Sequence, residues 1–151
     1  MAEPPEPVFR KIDSIQIPVP DLDAALVFYR DSLGHELVWR TKTAAGLRMP
    51  GTDAEIVLQT ERVETETDLL VDSVDDAITR VVAVGGRVVV QPFDIAIGKC
   101  VVVEDPWGNR LVLLDNRNGS LVTDNNHVVQ TDEQGNAIVR RGDDPYLNPP
   151  P

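Results

Sequence analysis

The stretch Asp21-Leu22-Asp23-Ala24-Ala25-Leu26-Val27-Phe28-Tyr29-Arg30-Asp31-Ser32-Leu33-Gly34 returns 52 residues later in changed form, from Ser73 through Val74, Ala77, Ile78 and Val81 to Gly85-Gly86. In the first copy Leu22, Ala25, Leu26, Tyr29 and Leu33 recur at i, i+3, i+4, i+7, the stripe of an amphipathic helix. In the second, Val74, Ala77, Ile78 and Val81 repeat that spacing in step. Asp21 and Ser73 are helix N-cap residues, and glycine suits the position just past a helix end. Around each helix the apolar alternation changes to strand period. Ile12–Val19 precedes the first helix, and Glu36–Lys42, Leu47–Met49 and Glu55–Gln59 follow it. Asp68–Asp72 precedes the second, and Arg87–Val90, Cys100–Val103 and Arg110–Asp115 follow. Each half therefore reads βαβββ, with closing strands Ile56-Val57-Leu58-Gln59 and Leu111-Val112-Leu113-Leu114. Two copies are too few for a solenoid. They predict a duplicated half-domain whose halves share one core or one cleft.

With 151 residues and 42% apolar content, the chain has the size and composition of one globular domain. Residues 1–10 form a Pro-rich lead, residues 11–116 the duplicated domain with modules at about 11–60 and 64–116, and residues 117–151 a polar C-terminal extension. In the extension, Val128–Thr131 and Ala137–Arg140 predict a hairpin with Gly135 in its turn, and Asp143–Pro151 reads as extended or disordered. The acidic, Pro-containing start carries no basic apolar signal segment, and no apolar run reaches transmembrane length. Both point to the cytoplasm and away from membranes. The single Cys100 has no intramolecular disulfide partner, which agrees with a reducing compartment, and reads as a small buried residue. A net charge of −11 without a basic stripe excludes nucleic acid and admits a cationic ligand.

Three stretches resemble the vicinal oxygen chelate superfamily, which includes glyoxalase I, bleomycin-resistance proteins and extradiol dioxygenases. They are Val19-Pro20-Asp21-Leu22, Phe28-Tyr29-Arg30-Asp31-Ser32-Leu33-Gly34 and Asp105-Pro106-Trp107-Gly108-Asn109-Arg110. The resemblance implies an α+β fold in which two tandem βαβββ modules form a curved sheet around a cleft, as in glyoxalase and bleomycin-resistance-like proteins. It also implies a homodimer and, in metal-dependent members, one divalent metal ion held from equivalent strand positions. Those positions fall here on Ser14, Val57, Glu66 and Val112. Only Glu66 is an ordinary ligand for a divalent cation, and valine coordinates nothing. The resemblance therefore leads to a small-molecule-binding protein with a metal-free cleft and no cofactor. Its alternatives are a divalent-metal-dependent lyase or isomerase of glyoxalase type, or a metal-free enzyme with Glu66 as base. An interaction module built on the extension is a third class.

Strand residues two apart share a face. If the four carried-over positions face the cleft, Gln16, Glu55, Gln59, Asp68, Arg110 and Leu114 do too. The candidate ligand-binding set is Gln16, Trp39, Arg48, Val57, Gln59, Glu66, Asp68, Arg110 and Val112, with Glu66 the catalytic candidate and no metal ligand assigned. Trp39 is either a cleft wall or core, and Arg48 faces either the cleft or the outside. Glu66 and Asp68 could instead mark a solvated strand entrance. The expected ligand is small and possibly cationic or aromatic. Trp107 is expected to pack on the scaffold. His35 and His127 have no Ser or Cys nucleophile set beside them, so a hydrolytic triad has no support. The acidic run Asp72–Asp76 opens a helix, where negative charge complements the dipole.

Overall fold

A computed structural model describes residues 3–141; the expectation for Asp143–Pro151 lies outside the described residues. Each module has the predicted βαβββ order. The first has β1 (Lys11–Pro18), α1 (Leu22–Leu26), β2 (Leu37–Arg40), β3 (Ala44–Arg48) and β4 (Glu55–Gln59). The second has β5 (Glu66–Leu70), α2 (Val74–Ala83), β6 (Arg87–Ile95), β7 (Gly98–Glu104) and β8 (Arg110–Leu114). All eight strands join one mixed, curved sheet in the order β2-β3-β4-β1-β5-β8-β7-β6. The opening strands β1 and β5 lie antiparallel at its centre, and each pairs in parallel with its own module's closing strand.

The duplication extends to register. Gln16 sits opposite Val57 in the first module, and Asp68 sits opposite Val112 in the second. Each helix covers the outer face of its half. Leu22, Ala25 and Leu26 bury against Ala45, Leu47 and Leu58, and Val74 and Ala77 bury against Val101, Val103 and Leu113. The alternate residues are thereby turned to the concave face.

Both N-caps form as expected. The Asp21 carboxylate accepts from the Ala24 N–H at 2.9 Å, and the Ser73 hydroxyl accepts from the Asp76 N–H at 3.3 Å. Both helices leave through glycine in the left-handed region, Gly34 at φ +85 and Gly85 at φ +99. The first helix departs from the predicted single α-helix. After Leu26 it widens into a π-helical turn, Val27–Ser32, in which the Leu33 N–H donates to the Phe28 carbonyl five residues back. The wider turn shifts the helical phase, so Leu33 ends 55% exposed instead of closing the apolar stripe.

The extension forms the predicted hairpin, bridged at Thr131 and Ala137, and a small ladder of β9 (Ser120–Leu121) with β10 (Val139–Arg140). It lies along the outer edge of the sheet. The Arg40 N–H donates to the His127 carbonyl at 2.8 Å, and the Val129 N–H donates to the Arg40 carbonyl at 2.9 Å. Main-chain groups of β2 that would template another strand are occupied by the chain itself. Among the described residues no helix is long and apolar enough to cross a membrane.

Candidate functional site

The centre of the concave face is where β1 and β5 run side by side. Ser14 is opposite Asp68 and Gln16 is opposite Glu66. Asp68 is the hub: one carboxylate oxygen accepts from the Gln16 amide at 2.8 Å and from the Ser14 hydroxyl at 3.2 Å. Its other oxygen is buried and meets no N–H or hydroxyl donor among the described residues, the Glu66 carboxyl being its neighbour. Burial, followed by the neighbouring carboxyl of Glu66, pushes Asp68 up to about 7 against the hydrogen bonds from Gln16 and Ser14. A carboxyl group so placed holds a proton near neutrality.

Arg62, in the linker between the modules, reaches over this floor. Its guanidinium donates to the Gln16 amide oxygen and lies 3.7 Å from Glu66. The sequence offered little warning of Arg62. It stands four residues before Glu66, but outside any helix, where that spacing predicts no contact. Asp13 joins the face at a β-bulge between Ile12 and Ser14, and burial and then the charge of Asp68 raise its pKa. Period-two reading misses such a residue because a bulge breaks the alternation.

Trp39 is a wall of the first module's half. Its indole lies across Gly46, where a side-chain carbon would overlap the ring nitrogen, and the ring N–H donates to Glu55 at 2.8 Å. Burial raises the Glu55 pKa despite that bond. Arg48 pairs in register with Glu55 but extends to the rim, where it bonds Glu36 at 3.2 Å. Gln59 is buried, and its amide is spent on the linker. It donates to the Arg62 carbonyl at 3.0 Å and accepts from the Glu61 and Arg62 N–H groups at 2.8 and 2.7 Å. It shapes the loop that delivers Arg62.

In the second module's half a 370 Å³ cavity is lined by Arg62, Glu66, Val90, Val102, Arg110 and Val112, among others. Cys100 is buried as expected, its thiol pushed up to about 12 by burial and then by Asp68 and Glu66. Trp107 corrects an expectation. It is 83% exposed, because the Asp105 carboxylate organises the turn alone, accepting from the Trp107 and Asn109 N–H groups at 2.9 Å. His35 and His127 are tied to the main chain, at the Arg48 and Val38 carbonyls.

The metal implied by the resemblance does not fit these residues. Of Ser14, Val57, Glu66 and Val112, two are valines and the Ser14 hydroxyl is committed to Asp68. Among the described residues no three His, Cys, Asp or Glu side chains gather in an arrangement that could hold a metal ion.

The fold is shared with solved structures. Methylmalonyl-CoA epimerase from Mycobacterium tuberculosis is 22% identical at a TM-score of 0.61, over 72% of this chain and 89% of its own. Homoprotocatechuate 2,3-dioxygenase from Brevibacterium fuscum is 24% identical at a TM-score of 0.57, over 74% of this chain and 38% of its own. At such identities the likeness is one of fold alone. No curated protein matches the sequence. The Glyoxalase/Bleomycin resistance protein/Dioxygenase superfamily profile, however, matches residues 11–113, and with the duplicated register described above it makes this chain a member of that superfamily.

Proposed function

We propose that the protein binds a small molecule on the concave face without a metal ion, the chemistry of binding residing in Gln16, Arg62, Glu66 and Asp68. One observation carries the reading. The two closing strands place valine, Val57 and Val112, at the symmetric floor positions, beside the polar group of Gln16, Glu66 and Asp68. The apolar floor supplies contact area, as small-molecule sites generally do. Association into a homodimer belongs to the same proposal.

The test is a thermal-shift screen of a small-molecule library, followed by calorimetry on Glu66→Gln and Asp68→Asn. Both variants are expected to remain folded and to lose at least about tenfold in affinity, the worth of one charge-assisted hydrogen bond. Hits unaffected by either substitution would move the site elsewhere. Elemental analysis with a divalent-metal titration is the companion measurement. One equivalent of metal, or a saturable shift removed by Glu66→Ala, would overturn the metal-free reading.

A second reading has its own support. Asp68 neighbours Glu66, and a carboxyl pair that holds a proton near neutrality suits proton transfer as well as recognition. The proton-holding group would then be Asp68, with Glu66 beside it, and activity would survive a chelator.

A further inference from the structure

The charges around the cavity are unequally satisfied, and that inequality points to a class of ligand. The β5–β8 ladder begins at Asp68 and Val112. Two residues earlier on the same face the strands carry Glu66 and Arg110, opposite charges at neighbouring positions on parallel strands. They form no salt bridge, and the cavity opens between them. Glu66 has its counter-ion in Arg62, at 3.7 Å. That distance is ionic contact without a hydrogen bond, so the Glu66 oxygens keep room for a donor. Arg110 has no such partner. Glu104, its cross-strand neighbour, is engaged by Arg87 at 3.0 Å. Among the described residues Arg110 makes no ion pair or side-chain hydrogen bond, in a chain whose net charge is −11. The other carboxylate on the rim, Glu64, is exposed and lies on the linker. Between the charged groups the wall is Val90, Val102 and Val112.

Resting on the reading of this cleft as a binding site, we propose that its ligand is a small carboxylic acid with a hydrogen-bond donor on the adjacent carbon and an apolar body, a 2-hydroxy or 2-amino acid. The carboxylate takes the planar fork of Arg110, which matches carboxylate geometry in a way an ammonium does not. The hydroxyl or ammonium donates to Glu66, and the body lies on the three valines. A volume of 370 Å³ holds a molecule of this size. The cationic ligand suggested by net charge is disfavoured locally, because Arg62 and Arg110 flank Glu66 in the cavity lining.

Calorimetry of the full chain with 2-hydroxyisovalerate, valine, mandelate and phenylglycine, and with valinamide as a cation lacking the acid, tests the assignment. At least one acid is expected to bind saturably at millimolar concentration or below. Arg110→Gln should weaken that acid at least tenfold and should not weaken valinamide. Whether hydroxy or amino acids bind better identifies the donor. Tighter binding of valinamide than of any acid would overturn the acid class and leave the cleft reading standing. Acid binding untouched by Arg110→Gln would overturn the role of Arg110. Silence of the whole panel would overturn the inference, while the cleft reading would still stand or fall on the library screen with Glu66→Gln and Asp68→Asn.

Discussion

The two modules share a backbone plan and differ in what anchors it. In the second, α2 runs ten residues, Val74–Ala83, and its first turn is tied to the sheet by Asp115. That carboxylate is fully buried and accepts from the Val74 N–H and the Lys99 N–H, both at 3.0 Å. Arg117 grips it from outside at 2.9 Å. Burial alone would raise its pKa, but Arg117 and the two amides hold it below the usual carboxylate range. In the first module the corresponding position after the closing strand is Thr60, exposed, its hydroxyl donating to the Thr43 carbonyl at 3.1 Å. There the helix is short, then π-helical. The lesson is that a duplicated scaffold needs its register in both copies, while a polar clamp can be confined to one. The concave face shows the same division. The first half offers neutral Ser14 and Gln16 with a Trp39–Glu55 wall, and the second carries Glu66, Asp68 and Arg110.

The largest expected effect falls on the clamp. Asp115→Ala leaves the buried Val74 N–H and the part-buried Lys99 N–H without acceptors, at about 1–3 kcal/mol for a buried group, so urea unfolding should show a loss of about 3 kcal/mol. Thr60→Ala should cost under about 1 kcal/mol, since it removes one exposed hydrogen bond. Equal losses would end the claim that the halves are differently anchored. The next effect lies on the wall. Gly46→Ala drives a methyl group into the Trp39 indole and should cost about 2 kcal/mol, the range of core overpacking. It should also red-shift Trp39 emission as the bond to Glu55 breaks. An unshifted spectrum would show that Trp39 does not depend on Gly46 for its place.

Much of the architecture was legible because it is periodic. The 52-residue repeat of helix stripe and caps located both modules, and the matched opening and closing strands carry the Gln16–Val57 register onto Asp68–Val112. What escaped was not periodic. The π-helical turn arises from hydrogen bonding that no apolar stripe encodes. Arg62 lies in an irregular linker, and the Asp115 clamp joins residues 41 and 16 positions apart in sequence. Gln59 was placed on the proper strand, but alternation cannot tell whether a side chain addresses a ligand or folds back on its own loop. Trp107 followed the expectation that large aromatics pack, whereas its turn is self-sufficient through Asp105.

The difference between the concave halves can be sharpened through pH. Asp68 has a folded-state pKa near 7 against an ordinary value of 3.8, so between those limits the folded chain binds more protons than the unfolded one. Stability from this group is therefore full below about pH 4 and falls as pH rises through about 7, by up to about 1.4 kcal/mol per pH unit. Gln16, its counterpart in the first module, does not titrate. Asp68→Asn keeps the shape and removes the charge, and the expected result is a variant about 1 kcal/mol more stable than the parent at pH 8 and no more stable at pH 4. Urea denaturation across that range measures it. Parallel pH profiles for parent and variant would mean that Asp68 stays ionised in the fold, with its second oxygen satisfied from solvent.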